Sequence, residues 1–186
     1  MRVIAGSAKG IQLHAVPGTA TRPISDRVKE AVFDILGEAV VGCRVLDLFA
    51  GTGSVGIEAL SRGAAEAVFV ESQYKATITL RGNLERTRFE AAGRIVKADV
   101  FKFLATEPTP FDLIYVAPPQ YVGLWRKALL ALDAHPGWLS SDAVIVVQIF
   151  PKELEPVSLT TLALADQRRY GSSLLCFYEA AQRDSR

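Results

Sequence analysis

The sequence predicts an α/β fold: a mostly parallel, doubly wound sheet of seven strands. An antiparallel C-terminal hairpin closes it, and a small β-hairpin with a helix precedes it. Three observations carry that prediction. Five strand-like runs alternate with helical stretches between residues 44 and 149. A glycine-rich turn stands directly after the first of these runs. The final two strand-like runs have no helix between them.

Taken in order, residues 2–5 and 11–16 read as short strands around Gly6-Ser7-Ala8-Lys9-Gly10, a hairpin. Pro17, Gly18 and Pro23 mark a loop. Ser25 is an expected N-cap for a helix to about Gly37, with Val28, Val32, Ile35 and Leu36 on one face. The expected strands are then Arg44–Phe49, Ala67–Glu71, Arg94–Lys97, Leu113–Val116 and Ala143–Ile149. Helices are expected at Ser54–Arg62, Gln73–Arg86, Val100–Ala105 and Gly123–Ala134. Strands separated by helices imply right-handed crossovers and parallel pairing. Leu159–Ala165 and Ser173–Tyr178, flanking Tyr170-Gly171, read as the closing antiparallel hairpin.

The 186 residues suit one domain with a small appendage. Apolar residues make up 49% and charged residues 22%, a globular rather than disordered composition. The longest clean apolar runs, Ala128–Leu132 and Ala143–Val147, are far shorter than the roughly 20 residues of a membrane span. No secretory signal pattern is read, and the expected compartment is the cytoplasm. Cys43 and Cys176 form no CxxC or His/Cys cluster, so no metal site is expected. His14 and His135 read as surface residues, and Trp125 and Trp138 as core. Lys75, Arg81, Arg86 and Arg88 read as a solvated helix face.

The net charge of +1 hides an asymmetry. Residues 1–30 hold Arg2, Lys9, Arg22, Arg27 and Lys29 against Asp26 and Glu30, a net of +3. The remainder is slightly acidic. The total excludes a histone-like or tail-driven nucleic-acid binder but leaves room for a local basic patch.

Asp47-Leu48-Phe49-Ala50-Gly51-Thr52-Gly53-Ser54-Val55-Gly56 follows the first alternating strand and opens a helix, where a nucleotide loop belongs. Gly51 and Gly53 permit a tight turn and close backbone approach to a ligand. Glu71 follows Gly51 by 20 residues, at a strand end suited to accept from two ribose hydroxyls. NAD remains open on spacing alone. Asp47, four residues before Gly51, favours S-adenosylmethionine, whose cationic groups suit a carboxylate that would repel a pyrophosphate. The closing hairpin also fits a Rossmann-like class I methyltransferase. Asp47 could equally brace the loop through backbone N–H groups. Asp99 could accept from an adenine amine, or cap the helix at Val100.

Phe111–Val116 runs into Ala117-Pro118-Pro119-Gln120-Tyr121. Two prolines remove two N–H donors and leave carbonyls to aim outward, which suits an exocyclic amine. Holding its N–H groups turns the nitrogen toward a sulfonium methyl, so the reaction is governed by orientation. A plain rigid turn is the alternative for the dipeptide alone.

Four stretches carry a resemblance: Arg2-Val3-Ile4-Ala5-Gly6 with Lys9-Gly10; Arg22-Pro23 with Asp26-Arg27-Val28-Lys29-Glu30; Asp47–Leu60; and Phe111–Pro119. Together they resemble the RsmD family, bacterial methyltransferases that act on a guanine N2 of small-subunit (16S) ribosomal RNA. The resemblance implies S-adenosyl-L-methionine held by Asp47, Phe49, Gly51, Gly53, Glu71 and Asp99. It places Ala117, Pro118, Pro119, Gln120 and Tyr121 at the target base. It implies RNA contacts from Arg2, Lys9, Arg22, Arg27 and Lys29. The expected partner is ribosomal RNA or a small-subunit assembly intermediate, met by a monomer. The implied organisation is an RNA-contacting extension over 1–38, a methyltransferase domain over 39–180 and a flexible tail over 181–186.

One departure stands out. Where the family has Asp or Asn, Pro, Pro and an aromatic, this chain has Ala117 and Gln120 in the outer positions. Ala117 keeps its carbonyl but has no side-chain acceptor, while Tyr121 could supply the ring. The departure motivates one alternative, an inactive RNA-binding factor on the same fold. An adenine N6 methyltransferase and a small NAD-dependent oxidoreductase, for which no Tyr-x-x-x-Lys pair is present, are the others.

Overall fold

A computed structural model of the chain describes residues 1–18 and 24–181. The first helix, α1 (Asp26–Leu36), starts where expected: the Ser25 hydroxyl accepts from the Val28 N–H at 3.3 Å. The alternation then runs β1 (Arg44–Leu48), α2 (Ser54–Ser61), β2 (Glu66–Glu71), α3 (Tyr74–Thr87) and β3 (Gly93–Lys97). It continues through α4 (Val100–Leu104), β4 (Phe111–Val116), α5 (Leu124–Ala134) and β5 (Leu139–Ile149). The strands β6 (Leu162–Tyr170) and β7 (Ser173–Ala180) complete the described chain.

The strands form one seven-stranded sheet in the order β3-β2-β1-β4-β5-β7-β6. Pairing is parallel from β3 to β5, and β7 runs antiparallel to both β5 and β6. The expected fold class is the observed one. Successive side chains of a strand point to opposite faces, and both faces here are covered by helices. Val45 and Phe69 join one core with Val28, Phe33, Ile57 and Leu80. Leu46 and Val68 join the other with Leu104, Leu129, Trp125 and Trp138. Both tryptophans are buried, and the Trp138 indole donates to the Leu104 carbonyl at 3.3 Å. Cys43 and Cys176 are buried packing residues, with burial pushing each thiol up to about 11.

The N-terminal hairpin needs correcting. Residues 2–5 and 11–16 form no strands; a single bridge joins Arg2 and Gln12. Pairing across the segment is short: the Val3 and Leu13 N–H groups bond to the Ile11 and Met1 carbonyls at 3.0 and 3.1 Å, and the next donors go elsewhere. The Ile4 and Ala5 N–H groups bond to the Glu58 carboxylate at 2.8 and 3.0 Å. The Ser7 N–H bonds to the Ser61 carbonyl at 2.8 Å and the Ala8 N–H to the Ser61 hydroxyl at 2.9 Å. The segment is therefore a minimal turn-back that packs on the end of α2 and does not extend into strands. Gly6 permits that approach, since a Cβ there would sit 1.7 Å from the Ser61 carbonyl oxygen. Val3, Ala8 and Leu13 join the same core as α1 and α2. The strand expected at Ala143 begins earlier, at Leu139, because Leu139 pairs with Phe111 before a register shift. Residues 182–186 of the expected tail lie outside the described residues.

The start of β6 is fastened to the end of α5 by Asp133. Its carboxylate accepts from the N–H groups of Thr160, Thr161 and Leu162 and from the Thr160 hydroxyl, all within 3.0 Å. Burial pushes this carboxyl up, but those donors outweigh it and hold the group at about 2. A depressed folded value means stability that is present above the usual carboxylate range and lost as pH falls toward 2. Urea unfolding is expected to show about 2 kcal/mol of stability lost between pH 5 and pH 2, and Asp133→Asn to remove that part of the dependence.

Candidate active site

The glycine loop and the Pro-Pro turn leave the sheet side by side. β1 and β4 are paired, with Asp47 opposite Tyr115 and Leu48 opposite Val116. The loop begins just after Leu48, and Ala117 just after Val116. The strand order reverses at this pair, with β2 and β3 on one side and β5 on the other. Open α/β sheets bind ligands at such a switch point, outside the carboxyl ends of the strands.

The loop is shaped by its glycines and by one strained residue. Gly51 and Gly53 have φ of 55° and 75°, and Phe49 has φ of 62°. A phenylalanine in the left-handed region costs roughly 1–2 kcal/mol, a strain that clusters at ligand sites. Its ring meets Phe101 edge-on at 6.3 Å. A Cβ on Gly56 would lie 2.3 Å from the Phe69 ring, so α2 can approach β2 only with glycine there. A Cβ on Gly51 would meet nothing closer than 4.0 Å, so that side of the loop is open to a ligand.

The acidic residues line this edge. Asp47 is buried and accepts from the Gly56 N–H at 3.1 Å. Burial pushes its carboxyl up to about 8; the Gly56 bond opposes this and the Glu71 charge adds to it. Glu71 accepts from the Gly51 N–H at 2.8 Å and the Gln73 N–H at 2.7 Å. Each of its oxygens retains acceptor capacity, so bracing the loop and accepting from ribose are compatible. Asp99 caps α4, one oxygen accepting from Phe101 and Lys102 N–H groups at 3.0 Å. Its side chain is otherwise exposed. These carboxylates and the open loop fit a cationic, ribose-bearing cofactor.

At the other wall, Tyr121 is 65% exposed, with φ of 60°. Its ring stacks on Phe150 at 5.4 Å with a 7° interplanar angle. Its N–H donates to Glu153 at 2.7 Å, and the other Glu153 oxygen accepts from the Phe150 N–H at 3.0 Å. The Tyr115 hydroxyl bonds to Gln148 on β5. Pro119 and Gln120 are exposed, and Ala117 and Pro118 half-buried. The sequence patterns did not bring out Tyr115, Gln148, Phe150 or Glu153. Their only signal was a polar Gln148 interrupting the apolar run of β5.

The basic residues divide. Arg2, Lys9 and Arg27 are exposed, and Arg2 pairs with Asp26 at 3.1 Å. Arg22 lies outside the described residues. Lys29 is fully buried, which corrects its expected contact with RNA. Its ammonium meets Glu58 at 3.2 Å, the Arg2 carbonyl at 2.6 Å and the Ser54 hydroxyl at 3.0 Å. Burial lowers its pKa, with the Glu58 charge opposing. Glu58, in turn, takes Arg62 at 2.9 Å. This cluster also went unread in the sequence, although Glu58 is the one charge in α2. The N-terminal segment reaches the glycine loop itself, where Met1 sulfur lies 3.5 Å from the Thr52 hydroxyl. Asn83 bridges the same parts, donating to the carbonyls of Thr52 at 3.0 Å and His14 at 3.1 Å.

The family model described as Conserved hypothetical protein 95 matches residues 1–179. YlbH of Bacillus subtilis is 39% identical over 183 residues, covering 96% of this chain and 98% of that protein. The Ribosomal RNA small subunit methyltransferase D of Escherichia coli (strain K12) is 36% identical over 148 residues, 80% and 74% of the two chains. The chain belongs to the RsmD family. It is a methyltransferase, and its cofactor is S-adenosylmethionine. The solved structure of yhhF from Escherichia coli superposes with a TM-score of 0.86 at 32% identity, over 97% of each chain. An RNA methyltransferase from Salinibacter ruber shares the fold, with a TM-score of 0.67 at 13% identity over 89% and 98% of the two chains.

A raised carboxyl value works against the empty fold as pH rises. The stability associated with neutral Asp47 is complete below the usual carboxylate range and is lost as pH rises through about 8. Thermal unfolding of the cofactor-free protein is expected to show Asp47→Asn gaining on the wild type from pH 5 to pH 8. Parallel pH profiles for the two proteins would contradict a neutral buried Asp47.

Proposed function

We propose that the chain methylates the exocyclic N2 of a guanine in small-subunit ribosomal RNA. The observation that carries this reading is the placement of the glycine loop and the Pro118-Pro119 turn on paired strands at the switch point. A cofactor on the loop and a base on the turn then face each other across one strand spacing. Asp47, Glu71 and Asp99 hold the cofactor, with Phe49, Gly51 and Gly53 shaping the loop. Asp47 faces its cationic part, Glu71 its ribose and Asp99 its adenine. The half-exposed turn from Ala117 to Tyr121 receives the base, displaced from its stack onto the Tyr121–Phe150 ring pair. Carbonyls at the two prolines accept from the amine and orient it for displacement.

Residues 1–38 act as the RNA-contacting lead-in to a methyltransferase body over 39–180. The partner is ribosomal RNA or an assembly intermediate of the small subunit. The protein works as a cytoplasmic monomer without a metal. Among the described residues no helix is long and apolar enough to cross a membrane, and no group of His, Cys, Asp or Glu could hold a metal ion. Ala117 favours a second reading, an RNA-binding assembly factor that has lost methyl transfer.

Labelled methyl transfer to unmodified small subunits and to naked ribosomal RNA, followed by nucleoside analysis, tests the two readings. The expected product is N2-methylguanosine at one mole per mole of RNA. Binding without transfer would establish the second reading, and N6-methyladenosine would replace the target base. In the same assay, charge removal at Arg2, Lys9 and Arg27 is expected to weaken RNA binding. It should also flatten the salt dependence by roughly one unit of slope for each phosphate no longer neutralised, leaving cofactor affinity unchanged. Lys29→Met should instead lower the melting temperature, since it leaves Glu58 short of a buried partner.

A further inference from the structure

We propose that Gln148 supplies the side-chain contact to the target amine that Ala117 cannot make. This inference rests on the guanine N2 reading above and names the residue that positions the acceptor.

The register places the two residues together. Val116 pairs with Val147 in the parallel ladder between β4 and β5, so Ala117 and Gln148 are the next residues on neighbouring strands. They also share a face. Tyr115 and Val146 are register partners in the core that packs α1 and α2, and Ala117 packs against that same core. Two residues beyond Val146, Gln148 returns to this side. Its hydrogen bond with the Tyr115 hydroxyl fits that placement.

The reach is sufficient in kind. Neighbouring strands lie about 4.8 Å apart, and glutamine carries one methylene more than asparagine. An amide lost from the end of β4 can therefore be replaced by a longer one from β5. Gln148 is half-buried between the buried Val147 and Ile149. An amide oxygen has two acceptor sites and the amide nitrogen two donors. Tyr115 occupies one acceptor site. Burial, with the Asp47 charge beside it, drives the Tyr115 phenol well above its ordinary value, so it stays protonated and donates. That fixes the Gln148 oxygen, leaving its second lone pair for an N–H of the amine. The NH2 group is left for the neighbouring ring nitrogen of the base, the acceptor beside the amine. Phe150, two residues on, carries the Tyr121 stack, so the amide and the ring platform stand on one strand end.

In the transfer, the amine nitrogen forms its bond to the methyl carbon as the carbon–sulfur bond breaks. The bonding pair goes to sulfur, and the nitrogen gains the positive charge before losing a proton to water. An N–H held by the Gln148 oxygen becomes more acidic along this path, so that bond strengthens toward the transition state. Its loss should lower kcat more than it raises KM for RNA.

The test uses the full chain with S-adenosylmethionine and the RNA substrate defined above. Gln148→Leu is expected to lower kcat by about ten- to a hundred-fold, with KM for RNA within about threefold of wild type. Cofactor affinity by calorimetry should stay unchanged, which also reports folding. Adding Ala117→Asn to Gln148→Leu should recover most of the lost rate. Tyr115→Phe, which removes only the orienting O–H, should give a smaller kcat loss in a folded protein. A wild-type rate in Gln148→Leu overturns this proposal while leaving the function standing. So does a rate loss accompanied by equal loss of cofactor affinity, or one that Ala117→Asn does not relieve. Wild-type protein that transfers no methyl group overturns the function itself, and this inference with it.

Discussion

The Glu58 carboxylate gathers four donors in a fully buried position: the N–H groups of Ile4 and Ala5, the Lys29 ammonium and the Arg62 guanidinium. A carboxylate buried without partners would be strongly unfavourable, so each donor that arrives is held. Those donors come from the N-terminal segment, from α1 and from the C-terminal end of α2 itself. One side chain thereby joins the N-terminal segment and α1 to the helix that the glycine loop opens. Lys29 extends the connection to the Ser54 hydroxyl, in the first turn of α2. Removing one partner from such a cluster typically costs about 3–5 kcal/mol, comparable to a large part of a domain's net stability.

That fastening explains how a short lead-in can be part of the site rather than an appendage. Met1 lies against Thr52, and Asn83 on α3 bonds both Thr52 and His14. The loop is thus enclosed by the sheet below, α3 at one side and the N-terminal segment at another. Its strained Phe49 is sustained by this surrounding structure, since an isolated turn would relax to a negative φ. Glu71 adds a brace across the loop from β2. A loop held from three sides loses little further freedom when a ligand arrives, which favours tight binding.

The parts of this arrangement legible in the sequence were those set by local periodicity. The alternation of strands and helices, the glycines at 51, 53 and 56, and the carboxylates at 47 and 71 follow from spacing along the chain. The carboxyl ends of the five parallel strands, to within a residue, and the Ser25 cap were readable for the same reason, whereas β5 starts four residues earlier and β6 runs five residues further than the pattern implies. The N-terminal hairpin is shorter than its alternation implies: the antiparallel turn-back is present around Arg2 and Gln12, but the Ile4 and Ala5 N–H groups leave it for another acceptor. Glu58 lies more than 50 residues away in sequence and is matched to Ile4 and Ala5 only after folding. Gln148 and Tyr115 likewise meet through strand register, and Phe150 reaches Tyr121 through Glu153. Such contacts have no period along the chain.

The charge asymmetry shows the same limit in another form. Counting residues assigns the first 30 positions five basic side chains. Counting available charge gives fewer, because Lys29 is neutralised inside the fold and Arg2 is paired with Asp26. Lys9 and Arg27 remain exposed, while Arg22 lies outside the described residues. A patch of that size makes few phosphate contacts, and affinity from counterion release grows with their number. On the proposed function, recognition of a particular guanine therefore has to draw on the other end of the site. There the Tyr121–Phe150 rings offer a stacking face, and the carbonyls of the Pro-Pro turn offer acceptors. In the proposed function, electrostatic attraction from the lead-in brings the RNA to the domain, and the shape of the turn selects the base that reaches the methyl group.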